Sequence, residues 1–241
     1  MIEIKAKYPI RINRYLSLKN YATRKGADRL VEQGLVTING RIAVLGDKVQ
    51  ENDKVEVNEE LRTEIKHRTY LAYNKPAGIV TSLPQGDEQG IEDVISFHKK
   101  VFPIGRLDKD SRGLIILTDD GRITDKLLNP KYIHEKEYIA QVHKEITPDF
   151  LKKMETGVKL DDDYVTQPCE VRRMTKNKFK IIITEGKKRQ IRRMCLALGY
   201  EVVNLCRTRI MNIQLSDIPE GDFRKIKGKM LEVFLNNLGM I

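Results

Sequence analysis

Residues 102–121 read FPIGRLDKDSRGLIILTDDG, and the interpretation of the whole chain turns on this stretch. Leu114, Ile115, Ile116 and Leu117 form a run too short for a helix and without polar alternation, so residues 113–118 are predicted to be a central strand. Pro103 and Gly105 predict a tight approach to that strand, and Asp119-Asp120-Gly121 a turn beyond it. Arg106 and Asp108 flank a single Leu107 in the entering loop, which holds charge beside the core instead of inside it. A carboxylate two residues from an arginine reads either as a structural ion pair or as a reactive group, and the stretch alone leaves both open. Asp110, Asp119 and Asp120 raise a third reading, a metal cluster. No His stands at ligand spacing from them, so no metal is expected.

Upstream, residues 11–57 read as two short helices followed by a small sheet. Ile12, Tyr15 and Leu16 keep helical spacing; Thr23 is a plausible N-cap for a second helix faced by Ala27, Leu30 and Val31, and Gly34 is placed to end it. Asn39-Gly40 is the dipeptide most favoured for a two-residue hairpin turn, and Val44, Val49, Val55 and Val57 supply further strand positions. From Lys5 to Arg29 the cations Lys5, Lys7, Arg11, Arg14, Lys19, Arg24, Lys25 and Arg29 face Asp28 alone. Such a face is either a solvated helical surface or a bed for a phosphate backbone, and clustering on both helices favours the second. Residues 58–69 are charged and lack periodicity, as in a linker. Tyr70 to Tyr73 resumes strand character, NKPAG (74–78) reads as a turn with a returning strand over 79–82, and Ile91, Val94 and Ile95 predict a helix over 91–98.

Downstream, a helix is predicted over 123–128 and a strand over 136–142 carrying Tyr138. Thr147-Pro148 opens a helix that Gly157 ends. Strands are predicted over 159–174 and 179–184, and a helix opening at Gly186, inside whose start lie Lys187, Lys188, Arg189, Arg192 and Arg193. Cations at a helix N-terminus oppose the dipole, an arrangement that makes sense if an anion occupies the site. Residues 202–215 read as a strand with Arg207 and Arg209 on one face. The result is an α+β protein. Its main domain, over 70–241, is a mixed and largely antiparallel sheet, preceded by a small ααβ domain over 1–60 and a linker over 61–69.

At 241 residues and a net charge of +10, the chain suits an anionic partner. Cys169, Cys195 and Cys206 show no Cys-x-x-Cys spacing and fit reduced core thiols. No apolar leader occupies residues 1–10 and no run approaches the roughly 20 apolar residues of a span, so a cytoplasmic protein without membrane contact is expected. Nucleotide-binding glycine motifs are absent, and no cofactor is expected.

Taken together, GRLDKDSRGLIILTDDG, NKPAG, KEYIA, EGKKRQIRRMC and RTRIMN resemble the motif blocks of the RsuA/RluB/RluE/RluF family of RNA pseudouridine synthases, and HEKEY with RTRIMN points to its RluF branch. Residues 11–57 resemble the alpha-L RNA-binding module, as in a ribosomal small-subunit protein. The resemblance implies that Asp108 is the catalytic aspartate, Tyr138 the aromatic that stacks on the target base and Lys187 the basic partner of the aspartate. Arg106 is similar to the arginine that fills the space left by the flipped nucleotide. It implies a monomer acting on ribosomal RNA of the large subunit, with a transfer RNA as a further substrate. Contacts to RNA are expected from Arg14, Arg24, Lys25, Arg29, Arg41, Leu107, Lys109, Lys188, Arg189, Gln190, Arg192, Arg193, Arg207 and Arg209. Ser111 stands where many relatives carry Thr. The alternative from another class is a non-catalytic factor that clamps ribosomal RNA with the same basic faces. A carboxylate-pair glycosidase using Asp108 and Asp110 is disfavoured by the basic balance and the absence of Trp.

Overall fold

The hairpin turn and the central strand both form, in two separate compact units of a computed structural model that describes residues 7–59 and 67–240. Lys5 and most of the expected 61–69 linker lie outside the described residues.

The smaller unit centres on residues up to 68. Helices α1 (Ile12–Leu18) and α2 (Arg24–Glu32) bury Ile12, Leu16, Ala27 and Val31. The Thr23 hydroxyl accepts a hydrogen bond from Gly26 N at 3.1 Å and so caps α2. Gly34 follows the helix at φ +70°, the left-handed exit that glycine supplies. Asn39 and Gly40, at φ 52° and 82°, turn strand β2 (Val36–Ile38) back as β3 (Arg41–Ile42). The edge strand β5 (Val55–Val57) pairs with β2, and β4 (Lys48–Val49) pairs with β1 (Ile10–Arg11). Val44 is not a strand residue: it is exposed in a loop whose amide is taken by the Asp47 carboxylate at 2.9 Å, a side-chain bond that replaces the ladder bond.

The larger unit is organised by a sheet in the order β10-β11-β9-β12-β8-β6-β14, with β13 on β12 and β7 on β8. Its strands are β6 (Tyr70–Lys75), β7 (Phe102–Ile104), β8 (Arg112–Thr118), β9 (Lys136–Val142), β10 (Glu170–Arg173), β11 (Lys178–Ile183), β12 (Val202–Ile210), β13 (Ile213–Gln214) and β14 (Phe223–Lys225). Among the described residues β8 and β12 make its parallel pairing and the rest are antiparallel. Interior position explains why β6 and β8 lack alternation, since nearly all their side chains are buried. Strands β9 and β11 alternate and turn Tyr138, Ala140, Val142, Phe179, Ile181 and Ile183 to the core. Helix α5 (Pro148–Thr156), capped by Thr147, lays Phe150 and Met154 there. Helices α3 (Ile91–Val94), α4 (Ile123–Leu128), α6 (Gln190–Ala197) and α7 (Gly228–Asn237) complete it.

Several expectations are corrected here. Asn74 and Lys75 belong to β6, not to a turn. Residues 79–82 do not return as a strand, because the Ile79 carbonyl is taken by Lys75 Nζ at 2.6 Å and the Thr81 hydroxyl by Leu107. Helix α3 is a single turn: Asp93 reaches back to Gly90 N at 2.7 Å and the chain is already extended at Ile95. Residues 159–174 hold a Lys159–Val165 bridge before β10 instead of one strand. Helix α6 begins at Gln190, so Lys187 and Lys188 precede it. Arg207 and Arg209 face opposite ways, because a bulge puts them opposite Tyr138 and Glu137, neighbours on β9.

The approach of β8 to β12 requires a residue without a side chain. Gly113 lies at φ +104°, and a Cβ there would stand 2.4 Å from Arg207 O and 2.9 Å from Cys206 Sγ. Gly113→Ala is therefore expected to destabilise the fold by about 2–5 kcal/mol through overlap and left-handed strain, measured by urea unfolding. A loss below the error of that measurement would mean the two strands can separate freely.

Candidate active site

The loop between β7 and β8, residues 105–111, is held at nearly every backbone position. Leu107 exchanges two hydrogen bonds with the Thr81 hydroxyl, at 2.7 and 3.0 Å. Lys109 O accepts from Gly78 N at 2.8 Å, Asp108 O from Ser111 N at 3.0 Å, and Asp110 O from Arg192 Nη2 at 2.9 Å. Asp108 itself is half-buried and makes no side-chain hydrogen bond or ion pair with any described residue. A carboxylate left unengaged within so heavily bonded a loop is oriented yet available.

Asp108 opens onto a cleft of about 470 Å³ whose wall includes Arg106, Tyr138, Lys136, Lys187, Arg189 and Arg207. The chain thus brings together all four residues expected at the reacting centre, Asp108, Arg106, Tyr138 and Lys187. Tyr138 is buried on β9, and its hydroxyl accepts from Arg207 Nη1 at 3.4 Å. Arg106 is exposed at the mouth. The Lys187 ammonium stands over the Tyr164 ring, 4.2 Å from its centroid. Asp108 acts electrostatically on Arg189, Arg192 and Lys75, so these three cations contribute to the field at the carboxylate.

Asp110 takes up much of the local positive charge. Arg189 grips it through both amino groups at 3.0 and 2.8 Å, and Arg192 Nε lies 3.4 Å away. The Arg189 guanidinium chiefly holds the Asp110 carboxyl below the usual carboxylate range. Arg192 also donates to Val202 O at 2.9 Å. Arg193 is paired with Asp161 and with Asp162, and Arg209 with Glu135 at 2.9 Å. Glu185 and Gln190, both buried, stitch the turn before α6: Gln190 Nε2 donates to Glu185 at 2.6 Å, and Lys187 N donates to Gln190 Oε1 at 3.0 Å.

Three of the residues expected to touch RNA lie in the wall of the cleft instead of on an open surface. Gln190, Leu107 and Arg207 are buried, because the turn, the β7–β8 loop and the bulged strand each turn them inward. Arg207 donates to Leu114 O at 2.6 Å and to Arg106 O at 3.5 Å, and its Nη2 is buried without a partner among the described residues. Lys188 is exposed, Lys109 is exposed and paired with Glu88 at 2.9 Å, and Arg41 is paired with Asp47 at 2.8 Å. In the smaller unit Arg14, Arg24, Lys25 and Arg29 are exposed and have no carboxylate partner among the described residues, Asp28 being bonded to Asn13 instead.

Sequence reasoning missed Lys75. This fully buried lysine donates to Pro76 O at 2.8 Å and Ile79 O at 2.6 Å. Burial pulls its ammonium down to about 8, against the opposing pull of Asp110 and Asp108. A cation closing a strand that begins Tyr-Leu-Ala-Tyr was the available signal. Lys136 is likewise lowered, by burial first and then by Arg207. Burial pushes the Cys195 thiol up to about 12, as suits an inert core cysteine.

An unengaged carboxylate in a cationic cleft, on a chain with a separate unpaired basic surface, defines an enzyme that works on a polyanion. A model of the RNA pseudouridylate synthases matches residues 69–197, and an S4-domain model matches residues 10–55. The dual-specificity RNA pseudouridine synthase RluF of Escherichia coli K12 is 45% identical over 219 residues, covering 90% of this chain and 75% of its own. The ribosomal large subunit pseudouridine synthase B of Bacillus subtilis is 35% identical, covering 90% and 91%. A crystal structure of a pseudouridylate synthase superposes with a TM-score of 0.67 at 26% identity, over 95% of this chain and 99% of that one. The chain belongs to the RNA pseudouridine synthase family, isomerases that act on RNA. Among the described residues no helix is long and apolar enough to cross a membrane.

The buried lysine gives a pH test. Its folded-state value lies below the ordinary one near 10.5, so between these values the unfolded chain holds the proton and the folded one does not. Stability from this group therefore rises with pH across that window. The unfolding free energy of the wild type relative to Lys75→Met is expected to increase by about 2 kcal/mol from pH 7 to pH 9.5. Denaturant unfolding of both proteins at the two pH values reads this difference; a constant gap would assign Lys75 an unshifted proton affinity.

Proposed function

We propose that this protein isomerises specific uridines to pseudouridine in ribosomal RNA of the large subunit, with a transfer RNA as a second substrate, and that Asp108 acts on the ribose. The observation that carries the reading is the Asp108 carboxylate, unengaged on a rigid loop and facing a cationic cleft. The words dual-specificity and ribosomal large subunit in the relatives' names favour these substrates.

The reaction breaks N1–C1′, turns the uracil and forms C5–C1′. Atoms are conserved, so the work is orientation and charge stabilisation. The target base leaves its stack at a cost of a few kcal/mol. Tyr138 stacks on it and offsets roughly 1–3 kcal/mol of that, while Arg106 at the mouth takes the vacated space. Asp108, ionised, reacts as nucleophile at C1′ or as base at C2′. Lys187, Lys188 and Arg189 keep the wall positive for the nucleotide's phosphates. Residues 1–60 form the RNA-binding domain, 61–69 connect it and 70–241 form the catalytic domain of a cytoplasmic monomer. Arg14, Arg24, Lys25 and Arg29 contact phosphates without reading sequence.

Asp108→Asn is expected to remove pseudouridine formation on an unmodified large-subunit RNA transcript, by at least about a thousandfold, while RNA affinity stays within about threefold. Turnover near the wild-type level would overturn the assignment of Asp108 and favour an RNA-binding factor. Reversing Arg24, Lys25 and Arg29 to Glu is expected to weaken RNA binding and to flatten its log–log salt dependence by roughly 2. An unchanged slope in filter binding would remove the smaller unit from phosphate contact.

A further inference from the structure

We infer that Leu83 is an RNA wedge, presented beside Asp108 to insert between the bases that flank the target uridine. The inference rests on the reading of the protein as an RNA pseudouridine synthase and adds a residue to it. Leu83 is 88% exposed and sits at φ +55°. A branched apolar residue disfavours that backbone region, and an exposed leucine gains nothing from water. No apolar packing within its own loop offsets either cost.

The loop that carries it is built, and it straddles the candidate catalytic residue. At one end Thr81 exchanges hydrogen bonds of 2.7 and 3.0 Å with Leu107, the residue before Asp108. At the other, Glu88 pairs at 2.9 Å with Lys109, the residue after it. A bridge between Val80 and Gly90 closes the base, with Val80 N donating to Gln89 O at 3.0 Å and Ile91 N to Val80 O at 3.1 Å. A turn from Gln85 to Glu88 closes the tip. Pro84 packs on Gly90, where even a Cβ would come within 3.4 Å of the proline ring. Leu83 lies two residues from Thr81, at most about 7 Å of chain, and Thr81 is bonded to the residue before Asp108, so the loop carrying Leu83 is tethered to the loop carrying Asp108.

The partner follows from place and chemistry. A single exposed leucine is too small for a protein-docking patch. The segment it adjoins carries exposed Arg106, which tolerates phosphates. Apolar side chains pushed between base steps unstack them and hold the opening, and a uridine must be unstacked to reach Asp108. Arg106 and Leu83 then divide the labour: the arginine fills the vacancy, and the leucine props the neighbouring step.

The test uses the full-length protein with Leu83→Ala, Leu83→Gly and Leu83→Met. Single-turnover pseudouridine formation is followed on two RNAs. One is the stem–loop around the uridine that the wild type modifies in an unmodified large-subunit or transfer RNA transcript, and the other an unpaired oligomer of the same local sequence. The alanine and glycine variants are expected to lose at least about tenfold on the stem–loop and less than about twofold on the unpaired RNA, with the methionine variant close to wild type. The glycine variant should melt no lower than the wild type, since it relieves the left-handed backbone. Equal rates for all four proteins on the stem–loop, or equal losses on both RNAs, would overturn the wedge. A wild type that modifies none of these RNAs would instead overturn the proposed function, and the wedge with it.

Discussion

The contact between Gly113 and Arg207 joins the two halves of the central sheet and, through one side chain, assembles the cleft. Removing the side chain at residue 113 lets β8 run parallel and close to β12, with Arg207 O where a Cβ would otherwise be. The guanidinium of Arg207 then passes inward, taking Leu114 O on β8, Arg106 O on the loop and the Tyr138 hydroxyl on β9. The loop, the strand it enters and β9 are thereby held against one planar group. Burying a guanidinium with a partnerless Nη2 carries a desolvation cost. A rigid fork is the geometry that makes such a cost useful, because it fixes distances that flexible contacts would not.

Around that frame the charges are sorted. Asp110 takes the guanidinium of Arg189 in a forked grip and lies beside Arg192, while Asp108, two residues earlier, takes none. Were the two positions interchanged, Asp108 would be held in the arginine grip and Asp110 left unengaged. The loop solves this with backbone bonds on either side of Asp108, so the side chain is oriented without being consumed. Lys75, packed behind the loop and lowered by burial, adds positive potential while its own protons are spent on Pro76 and Ile79 carbonyls.

Much of this was legible wherever the signal is local. The Asn39-Gly40 hairpin, the Thr23 and Thr147 caps and the uninterrupted β8 run each depend on a few adjacent residues, and each formed where expected. What was not legible depends on partners far along the chain. The bulge at Thr208 breaks the period-two rule and sends Arg207 and Arg209 to opposite faces, although their spacing predicts one face. The returning strand after NKPAG failed because Lys75 and Leu107 capture its polar groups. Residues 216–240, which give β14 and α7, carried no pattern that was read at all.

The same limit decides what a cluster of cations means. Two basic stretches look alike in sequence: residues 11–29 and residues 187–193. In the second, acids supplied from elsewhere, Asp110, Asp161 and Asp162, engage Arg189, Arg192 and Arg193, so most of its charge is taken up by internal ion pairs. In the first, the one nearby acid is bonded to Asn13, and Arg14, Arg24, Lys25 and Arg29 stand in water without carboxylate partners among the described residues. Counterion release on binding a polyanion is available to unpaired cations and largely forfeited by paired ones. On the proposed reading, the smaller unit supplies the salt-dependent affinity for RNA, and the cleft discriminates by shape, by stacking and by the reach of the Asp108 carboxylate.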